Sequence, residues 1–509
     1  MLRGDAPLWA ALLPVAAFEG AALWLSTIPA DPDYWWHLAT GRWMLDHARI
    51  PTSDPFSFSR AGQNWYAHEW LGELLIGAAD RIAGYAACIA LTSAFFALAC
   101  WLTWRSARWY GVSAREAALF TIGGGIFLLR YVEVRPQVWT WPLFALLVHE
   151  LIAYDLGRRR RLWHVPVLFV LWVNVHLSAL IGLAVLGLYV LIAALRWLNA
   201  RRTCGAAVQA ASRGSDARKH PPLRGEKQTR AALLHVTGVG VLSFLALSVN
   251  PRGPALVWFS RLYLDQNAVY YRYISEWQRL SFSGFDRITY LVGGLLVALT
   301  VVAIWRRRSL WPALLALAFA CAAARAVRYV PLFALAGVPA AGWLAGSRRG
   351  RTQAPAAVPV QRGFALALAG TAAAALLILA PALPGTQFRR AARGGPGGFP
   401  AGAAAWLKTN LPDAKLFNDY DWGGYLLNAL YPGRHVYIDG RTEMYGEQFF
   451  DRFVQAVDAR PGWQETLAGS GADAVLLKPA DPLAGALAAD PSWRLAFADD
   501  VSAIYVRTP

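Results

Sequence analysis

The sequence predicts a polytopic α-helical membrane protein with about eleven transmembrane helices, followed by a C-terminal extracytoplasmic α/β domain. Of the 509 residues, 56% are hydrophobic and 24 are Trp, which is too apolar for a soluble protein of this size. The formal net charge is +17, but the basic residues form short clusters between apolar runs. That distribution is typical of membrane topology. We therefore expect membrane lipids around the chain and no nucleic-acid partner.

The transmembrane part is predicted over residues 1–383. A spanning helix needs about 20 apolar residues, and Asn174 and His176 indicate a hairpin turn at the membrane edge within the long apolar stretch 162–197. The first apolar run lacks a signal-peptide cleavage site and is expected to remain as a helix. The candidate helices are 7–28, 84–104, 115–130, 136–154, 162–175, 177–197, 231–249, 288–305, 310–324, 329–346 and 363–383.

The basic clusters predict the orientation. The strong clusters are Arg105 with Arg108, the four residues 158–161, the loop 198–230, the three residues 306–308, and the group 348–351. With the N-terminus in the cytoplasm, every cluster falls on the cytoplasmic side, as the positive-inside rule requires. We expect the 198–230 loop to be polar and irregular.

Three regions then face outward: the first loop 29–83, the second loop 250–287, and everything after residue 383. Residues 384–402 are rich in Gly, Pro and Ala and are predicted to be a linker. From residue 403 to 509 the apolar runs shorten and alternate with helical stretches, which predicts a small α/β domain ending in an antiparallel strand pair. The expected strands are 415–417, 435–438, 474–477, 494–498 and 502–506, and the expected helices are 403–410, 421–430 and 446–458.

The first outward loop contains Asp31-Pro32-Asp33-Tyr34-Trp35-Trp36-His37. In an extended stretch, the carboxylates of Asp31 and Asp33 would project to one side about 7 Å apart, where they can clasp a divalent cation such as Mg²⁺ or Mn²⁺. Asp33 is equally suited to cap a helix over 34–46, with His37 one turn later on the same face. The residues alone leave both interpretations open.

The same loop carries Trp65-Tyr66-Ala67-His68-Glu69-Trp70, followed by a short apolar stretch at 71–79. His68 and Glu69 could supply a base or a ligand, and the aromatic residues equally suit an interfacial belt. The stretch 71–79 is short for a span and is expected to lie in the interface.

Four arginines flank outward membrane edges: Arg130, Arg135, Arg325 and Arg328. Arginine near hydrocarbon usually pairs or lines a cavity, and it binds phosphate bidentately. These arginines predict an outward cavity for a lipid-linked phosphate, with simple snorkelling to the headgroups as the alternative.

Two polar and aromatic segments of the C-terminal domain are further candidates, around Asp421 and around Asp439 and Arg441. Asp439 follows a predicted strand, where α/β folds usually place binding loops. A purely structural ion pair between Asp439 and Arg441 is the alternative.

In the order of its predicted elements, the chain resembles the C-type (GT-C) membrane glycosyltransferases. This family includes protein O-mannosyltransferases, the lipid A aminoarabinose transferase and the catalytic subunit of oligosaccharyltransferase. The shared order is one helix, an outward loop with an Asp-x-Asp-like motif, about ten further helices and an outer α/β domain. Individual segments look like a group of bacterial glycosyltransferase-like membrane proteins. They are Asp33–Leu38, Trp172–His176, Asn250–Gly253, Glu276-Trp277, Asp421–Tyr425 and Asp439–Arg441.

The resemblance implies an enzyme of the bacterial cytoplasmic (inner) membrane that transfers a sugar from a polyprenyl-phosphate donor to a lipid, glycan or protein acceptor on the extracytoplasmic side. It implies that Asp33, or Asp31, is the catalytic base or a ligand of a divalent cation. Substrate contacts are expected from one set of residues: Trp36, His37, His68, Glu69, Arg130, Arg135, Arg325, Arg328, Glu276, Asp421, Asp439 and Arg441. The alternative is a non-catalytic scaffold or lipid-linked-sugar binding protein whose C-terminal domain binds partners.

Overall fold

The computed structural model describes residues 5–28, 30–212, 222–259, 272–280, 294, 311–348 and 398–508. Two predicted helices, 288–305 and 363–383, and most of the predicted 384–402 linker lie outside these residues. The helices before residue 349 are α1 Asp5–Thr27, α2 Pro32–His47, α3 Trp70–Arg108, α4 Ala114–Leu129, α5 Pro136–Trp139, α6 Trp141–Asp155, α7 Val165–Val175, α8 Ala179–Ser212, α9 Pro222–Ala246, α10 Ala255–Phe259, α11 Trp311–Arg325 and α12 Val330–Arg348.

Five helical segments of the described chain are long and apolar enough to cross a membrane: Leu8–Thr27, Trp70–Arg108, Ala179–Gly205, Gly225–Ala246 and Val327–Gly346. Two shorter apolar helices are α7 and α11. The predicted number of eleven spans is therefore not confirmed. The chain is a helical membrane protein with fewer full-length spans among the residues described.

Helix α3 joins two predicted elements, the interfacial stretch and the next span. Its backbone leaves the helical conformation at Ala83, with φ −150°, and at Gly84, with φ +64°. A positive φ is a conformation that glycine adopts without strain, so Gly84 permits the break between the two parts. A second break, at Thr140, divides the predicted 136–154 helix into α5 and α6.

The prediction of an irregular loop over 198–230 is wrong for most of that stretch. Helix α8 continues to Ser212 and α9 begins at Pro222, so helix covers the sequence on both sides of residues 213–221, which lie outside the description. Alanine is frequent in 205–212, and its high helix propensity outweighs the polarity of the neighbouring residues.

The C-terminal domain has one four-stranded sheet with helices packed against it. Strands β1 Leu416–Asn418 and β2 Ala474–Leu477 are parallel, and β4 Ala503–Arg507 is antiparallel to both β2 and β3 Trp493–Ala498, in the order β1-β2-β4-β3. This confirms the predicted antiparallel pair at the end of the chain. The helices are α13 Ala401–Asn410, α14 Gly423–Leu430, α15 Thr442–Tyr445, α16 Glu447–Val457, α17 Trp463–Ser470 and α18 Pro482–Ala489.

The predicted strand 435–438 is not formed. Val436 makes only isolated bridges, to Ser57 of the first loop and to Leu416 of β1. Its N–H donates to the Phe56 carbonyl at 3.1 Å, and its carbonyl accepts the Phe58 N–H at 3.0 Å. The first loop takes the hydrogen bonds that a neighbouring strand would otherwise provide, so this segment joins the loop to the domain.

Helix α2 packs closely against α14 of the C-terminal domain. A Cβ atom at Gly424 would lie 2.9 Å from the Trp36 backbone nitrogen and 3.0 Å from the Pro32 carbonyl oxygen. Only glycine allows this approach. One continuous apolar core includes buried residues of the membrane helices, of the first loop and of the C-terminal domain, such as Leu25, Trp35 and Leu426. The first loop and the domain are therefore packed as one outer unit on the helices.

Candidate active site

The outer unit and the membrane helices enclose a cavity of about 440 Å³. Its wall comes from seven parts of the chain: α2, the residues before α3, the α5 region, the α7–α8 turn, residues 274–277, residues 328–332, and the C-terminal domain. Its lining residues are Asp33, Trp36, His37, His68, Glu69, Arg135, Pro136, Gln137, Thr140, Trp141, His176, Leu177, Ser178, Leu180, Ile181, Ile274, Glu276, Trp277, Arg328, Tyr329, Leu332, Tyr420, Gly440, Thr442 and Glu443.

Helix α2 presents its first turn to this cavity. Its N-cap is Asp31, whose Oδ1 accepts the Asp33 N–H at 2.9 Å, and Pro32 occupies the first turn. The prediction that Asp33 caps the helix is wrong, because proline suits the first helical position and moves the cap back to Asp31. Asp33 is thereby inside the helix, where its Oδ1 accepts the Trp36 indole N–H at 3.1 Å.

Both first-loop carboxylates bind one guanidinium, that of Arg135. Its Nε lies 3.2 Å from Asp31 Oδ1, and it also forms an ion pair with Asp33 Oδ2. Arg135 Nη1 lies 3.3 Å from Glu133 Oε2 and 3.4 Å from Glu276 Oε2. Burial raises the pKa of Asp31, and the Arg135 charge only partly offsets this. Arg135 is thus a fixed cation on the cavity wall, held by carboxylates on several sides.

A second cation, Arg328, lies on the same wall. Its guanidinium carbon is 3.8 Å from the centre of the Trp277 ring, a cation–π distance, and its Nη1 is 3.6 Å from Glu276 Oε1. Burial alone would raise the pKa of Glu276, but Arg328 and Arg135 outweigh it and lower the pKa. Glu276 therefore stays ionised and holds the two arginines on the same side of the cavity.

Three histidines surround Glu69 on another part of the wall. Glu69 oxygens lie 3.2 Å from His176 Nε2, 3.5 Å from His68 Nε2 and 3.7 Å from His37 Nε2. Burial opposes ionisation of Glu69, but His176 and His68 outweigh it and lower its pKa to about 2. Burial lowers the pKa of His37 to about 3 and that of His176 to about 4.

The donor atoms here do not fit a divalent cation as they are arranged. The ring Nδ1 of His176 accepts the Ser178 N–H at 2.9 Å, so Nε2 carries the proton and cannot ligate a metal. Arg135 occupies the position between Asp31 and Asp33. Across the described part of the chain, no group of three or more His, Cys, Asp or Glu is spaced to hold a metal ion.

The C-terminal domain supplies the remaining polar wall through Tyr420, Gly440, Thr442 and Glu443. The Tyr420 and Thr442 hydroxyls are hydrogen-bonded at 2.6 Å. Gly440 is the point of contact with α2: a Cβ atom there would collide with the Asp33 carboxylate and the Trp36 indole. The domain therefore reaches the first-loop carboxylates directly.

The cavity brings together eight of the fourteen predicted site residues: Asp33, Trp36, His37, His68, Glu69, Arg135, Glu276 and Arg328. Six others do not line it. Asp31 contacts the cavity residue Arg135, and Arg130 and Arg325 are at the ends of α4 and α11. Asp421 is bound to Lys478 at 2.9 Å. Asp439 and Arg441 form a fully buried ion pair with Asp54, so for these two the structural alternative holds.

His176 and Glu443 were not among the predicted site residues. In the sequence, His176 was a polar residue at a predicted turn and the last residue of the segment Trp172–His176. Glu443 was one of several polar residues in a dense polar and aromatic segment. Neither signal distinguishes a cavity residue from a surface residue, because the cavity forms only when distant parts of the chain meet.

The structure is similar to the crystal structure of the Archaeoglobus fulgidus oligosaccharyltransferase in its apo form. The TM-score is 0.54 at 13% sequence identity, covering 94% of this chain and 70% of that chain. This likeness shows the fold. It supports the predicted arrangement of membrane helices followed by an outer α/β domain, and it does not distinguish the bacterial subgroup. The sequence matches no protein-family model and no curated protein.

Proposed function

We propose that the protein is a membrane glycosyltransferase that transfers a sugar from a polyprenyl-phosphate donor to a lipid, glycan or protein acceptor on the extracytoplasmic side of the bacterial inner membrane. The observation that carries the proposal is the pair of fixed cations, Arg135 and Arg328, on one wall of the 440 Å³ cavity. The shared fold with an oligosaccharyltransferase supports it.

The two arginines fit the leaving group of such a reaction. When the bond between the sugar C1 and the phosphate oxygen breaks, the electron pair and the negative charge pass to the phosphate. Guanidinium groups held in place beforehand stabilise that charge without reorganisation, and arginine donates in the geometry that phosphate oxygens accept. Asp31, Asp33 and Glu276 keep Arg135 oriented for this role.

The aromatic side chains of the cavity fit the sugar. Trp36, Trp141 and Trp277 line the cavity, and their apolar faces can pack against the C–H groups of a pyranose or furanose ring. Carboxylates, hydroxyls and imidazoles between them can bind sugar hydroxyls. The assignment of Asp33 or Asp31 as base stays a prediction, and their contacts with Arg135 add a second role for both.

If the protein were a non-catalytic scaffold, we would expect the first-loop carboxylates to face away from the cavity. Asp33 instead lines it. Mass spectrometry of lipids that co-purify with the protein tests the proposal directly. We expect a polyprenyl-phosphate sugar, and bulk phospholipid alone would support the scaffold instead.

Variants test the same proposal in a transfer assay with the donor found by mass spectrometry. Asp33→Ala and Asp31→Ala should each lower transfer at least a hundredfold, because both release Arg135. Asp46→Ala is the matched control, since Asp46 lies near the other end of α2, is 59% exposed and pairs only with Arg81 among its described ion pairs. Full activity in both Asp33→Ala and Asp31→Ala would contradict the role given to Arg135 and the carboxylates that hold it.

A further inference from the structure

Four carboxylates line the cavity: Asp33, Glu69, Glu276 and Glu443. A sugar acceptor is a hydroxyl, and its oxygen becomes a good nucleophile only as a base takes the proton. The base needs an oxygen that is free to approach that hydroxyl. The contacts of the four carboxylates therefore decide which of them suits this task.

Three of the four are occupied by strong partners. Asp33 accepts from Trp36 at 3.1 Å and is ion-paired with Arg135. Glu69 faces His176, His68 and His37 at 3.2–3.7 Å. Each of these contacts stabilises the ionised carboxylate and makes it a weaker base.

Glu276 is also occupied, because it lies 3.4 Å from Arg135 and 3.6 Å from Arg328. The remaining carboxylate, Glu443, differs from the other three. Its Oε1 is shielded from solvent and has no hydrogen-bond partner among the described residues. A buried polar atom without a partner is unfavourable, and rotation of the carboxylate toward a ligand hydroxyl in the cavity would supply the missing hydrogen bond.

We propose that Glu443, which the C-terminal domain contributes to the cavity, is the catalytic base that takes the proton from the acceptor hydroxyl, in place of Asp33 or Asp31, whose role is then to hold Arg135. This inference rests on the proposed function. The acceptor oxygen forms the new bond to the sugar C1, the C1–O bond to phosphate breaks with its electron pair, and the proton moves to the Glu443 carboxylate. It later passes to solvent, which restores the base.

The surroundings of Glu443 suit this role. Burial raises the pKa of Glu443, while His68 and a hydrogen bond from the Glu443 backbone N–H oppose the rise; Glu69 adds to the rise and Arg441 opposes it. Glu73 and Tyr420 are the other titratable groups near it. A raised pKa makes the carboxylate a stronger base. The rate should therefore fall on the acid side as Glu443 becomes protonated.

Glu443→Gln tests the inference with little change in shape. The assay uses detergent-solubilised full-length protein with undecaprenyl-phosphate glucose, mannose and arabinose as donors, and water or added glycan as acceptor. We expect transfer to fall about 10²–10⁴-fold, the acid limb of the pH–rate profile to disappear, and donor affinity to stay within about threefold. Glu465→Gln is the matched control, since Glu465 is exposed on α17 outside the cavity.

Azide distinguishes a lost base from a damaged fold. Azide is an anionic nucleophile that needs no deprotonation, so Glu443→Ala with sodium azide should regain activity and form the glycosyl azide. Wild-type activity in Glu443→Gln, or no azide product from Glu443→Ala, would overturn the role of Glu443 and leave the proposed function intact. If the wild type transfers no sugar from any of the three donors and co-purifies with no polyprenyl-phosphate sugar, the proposed function fails and this inference fails with it.

Discussion

The ion pair that joins the first loop to the C-terminal domain makes a direct prediction about stability. Arg441 is fully buried and donates to Asp439 at 2.8 and 2.6 Å and to Asp54 at 2.7 Å. Its guanidinium carbon also lies 4.5 Å from the centre of the Trp65 ring. Removing one member of a buried ion pair costs about 3–5 kcal/mol, because the partners remain buried without compensation.

Arg441→Met leaves two buried carboxylates, Asp54 and Asp439, facing each other. Backbone N–H groups and the Tyr445 hydroxyl donate to these carboxylates. In the described part of the chain, Arg441 is the cation that forms ion pairs with Asp54 and Asp439, so the variant leaves both carboxylates without a counter-ion. We expect the free energy of unfolding to fall by about 4 kcal/mol. The triple variant Arg441→Met, Asp54→Asn, Asp439→Asn should lose less, since it removes the buried charges together with their counter-ion.

Urea titration in detergent micelles, read out by pulse proteolysis, measures these differences on the full chain. Arg460→Ala is the control, because Arg460 and its partner Asp458 are 55% and 38% exposed; exposed pairs contribute about 0–1 kcal/mol. A loss below about 1 kcal/mol in Arg441→Met, or a greater loss in the triple variant than in the single one, would refute the reasoning.

Three further predictions follow from the cavity wall. Gly440→Ala should lower transfer at least tenfold, since its Cβ would collide with Asp33 and Trp36, whereas Gly433→Ala, whose Cβ would be 3.5 Å from its nearest neighbour, should not. Thermal stability in detergent should fall as pH falls below about 6.5 toward the lowered pKa values of about 3 for His37 and about 4 for His176. In this range the unfolded chain binds more protons than the folded chain, so the free energy of unfolding falls by about 1.4 kcal/mol per pH unit for each of the two histidines. The raised pKa of His68 acts in the opposite direction. His37→Gln should make the pH dependence of stability shallower. EDTA should change transfer less than about twofold, because Arg135 engages the oxygens of Asp31 and Asp33; a tenfold loss restored by Mg²⁺ or Mn²⁺ would contradict this.

The sequence predicted the elements that depend on local chemistry. The first span, the turn near His176 and the antiparallel strands at the chain end follow from apolar length, a polar break and alternation, which act over a few residues. The helical extension of α8 was not predicted, because the charges of 198–230 indicated a loop whereas the helix propensity of the alanines in 205–212 favours a helix. The cap of α2 was misplaced by two residues because Pro32 can enter a first helical turn.

The site was predictable only in its parts. The arginines Arg130, Arg135, Arg325 and Arg328 suggested a phosphate cavity, since each is a charged residue near an apolar run. The contacts of Arg135 and Arg328 with Asp33 and Glu276 depend on four separate stretches of chain meeting, and no periodicity encodes that. Asp439 and Arg441 show the same limit, because a motif at a strand end suits a binding loop and a buried ion pair equally well.

The ion pair of Arg441 and the base proposed at Glu443 lie two residues apart, and this proximity links stability to activity. Asp54 and Arg441 are 387 residues apart in the chain, yet their contact holds Arg441, the residue immediately before α15. Helix α15 carries Thr442 and Glu443 to the cavity. A loss of the ion pair would therefore displace the base before it unfolds the domain. Arg441→Met should consequently lose transfer at urea concentrations where its helices are still folded, while Arg460→Ala should lose activity and structure together.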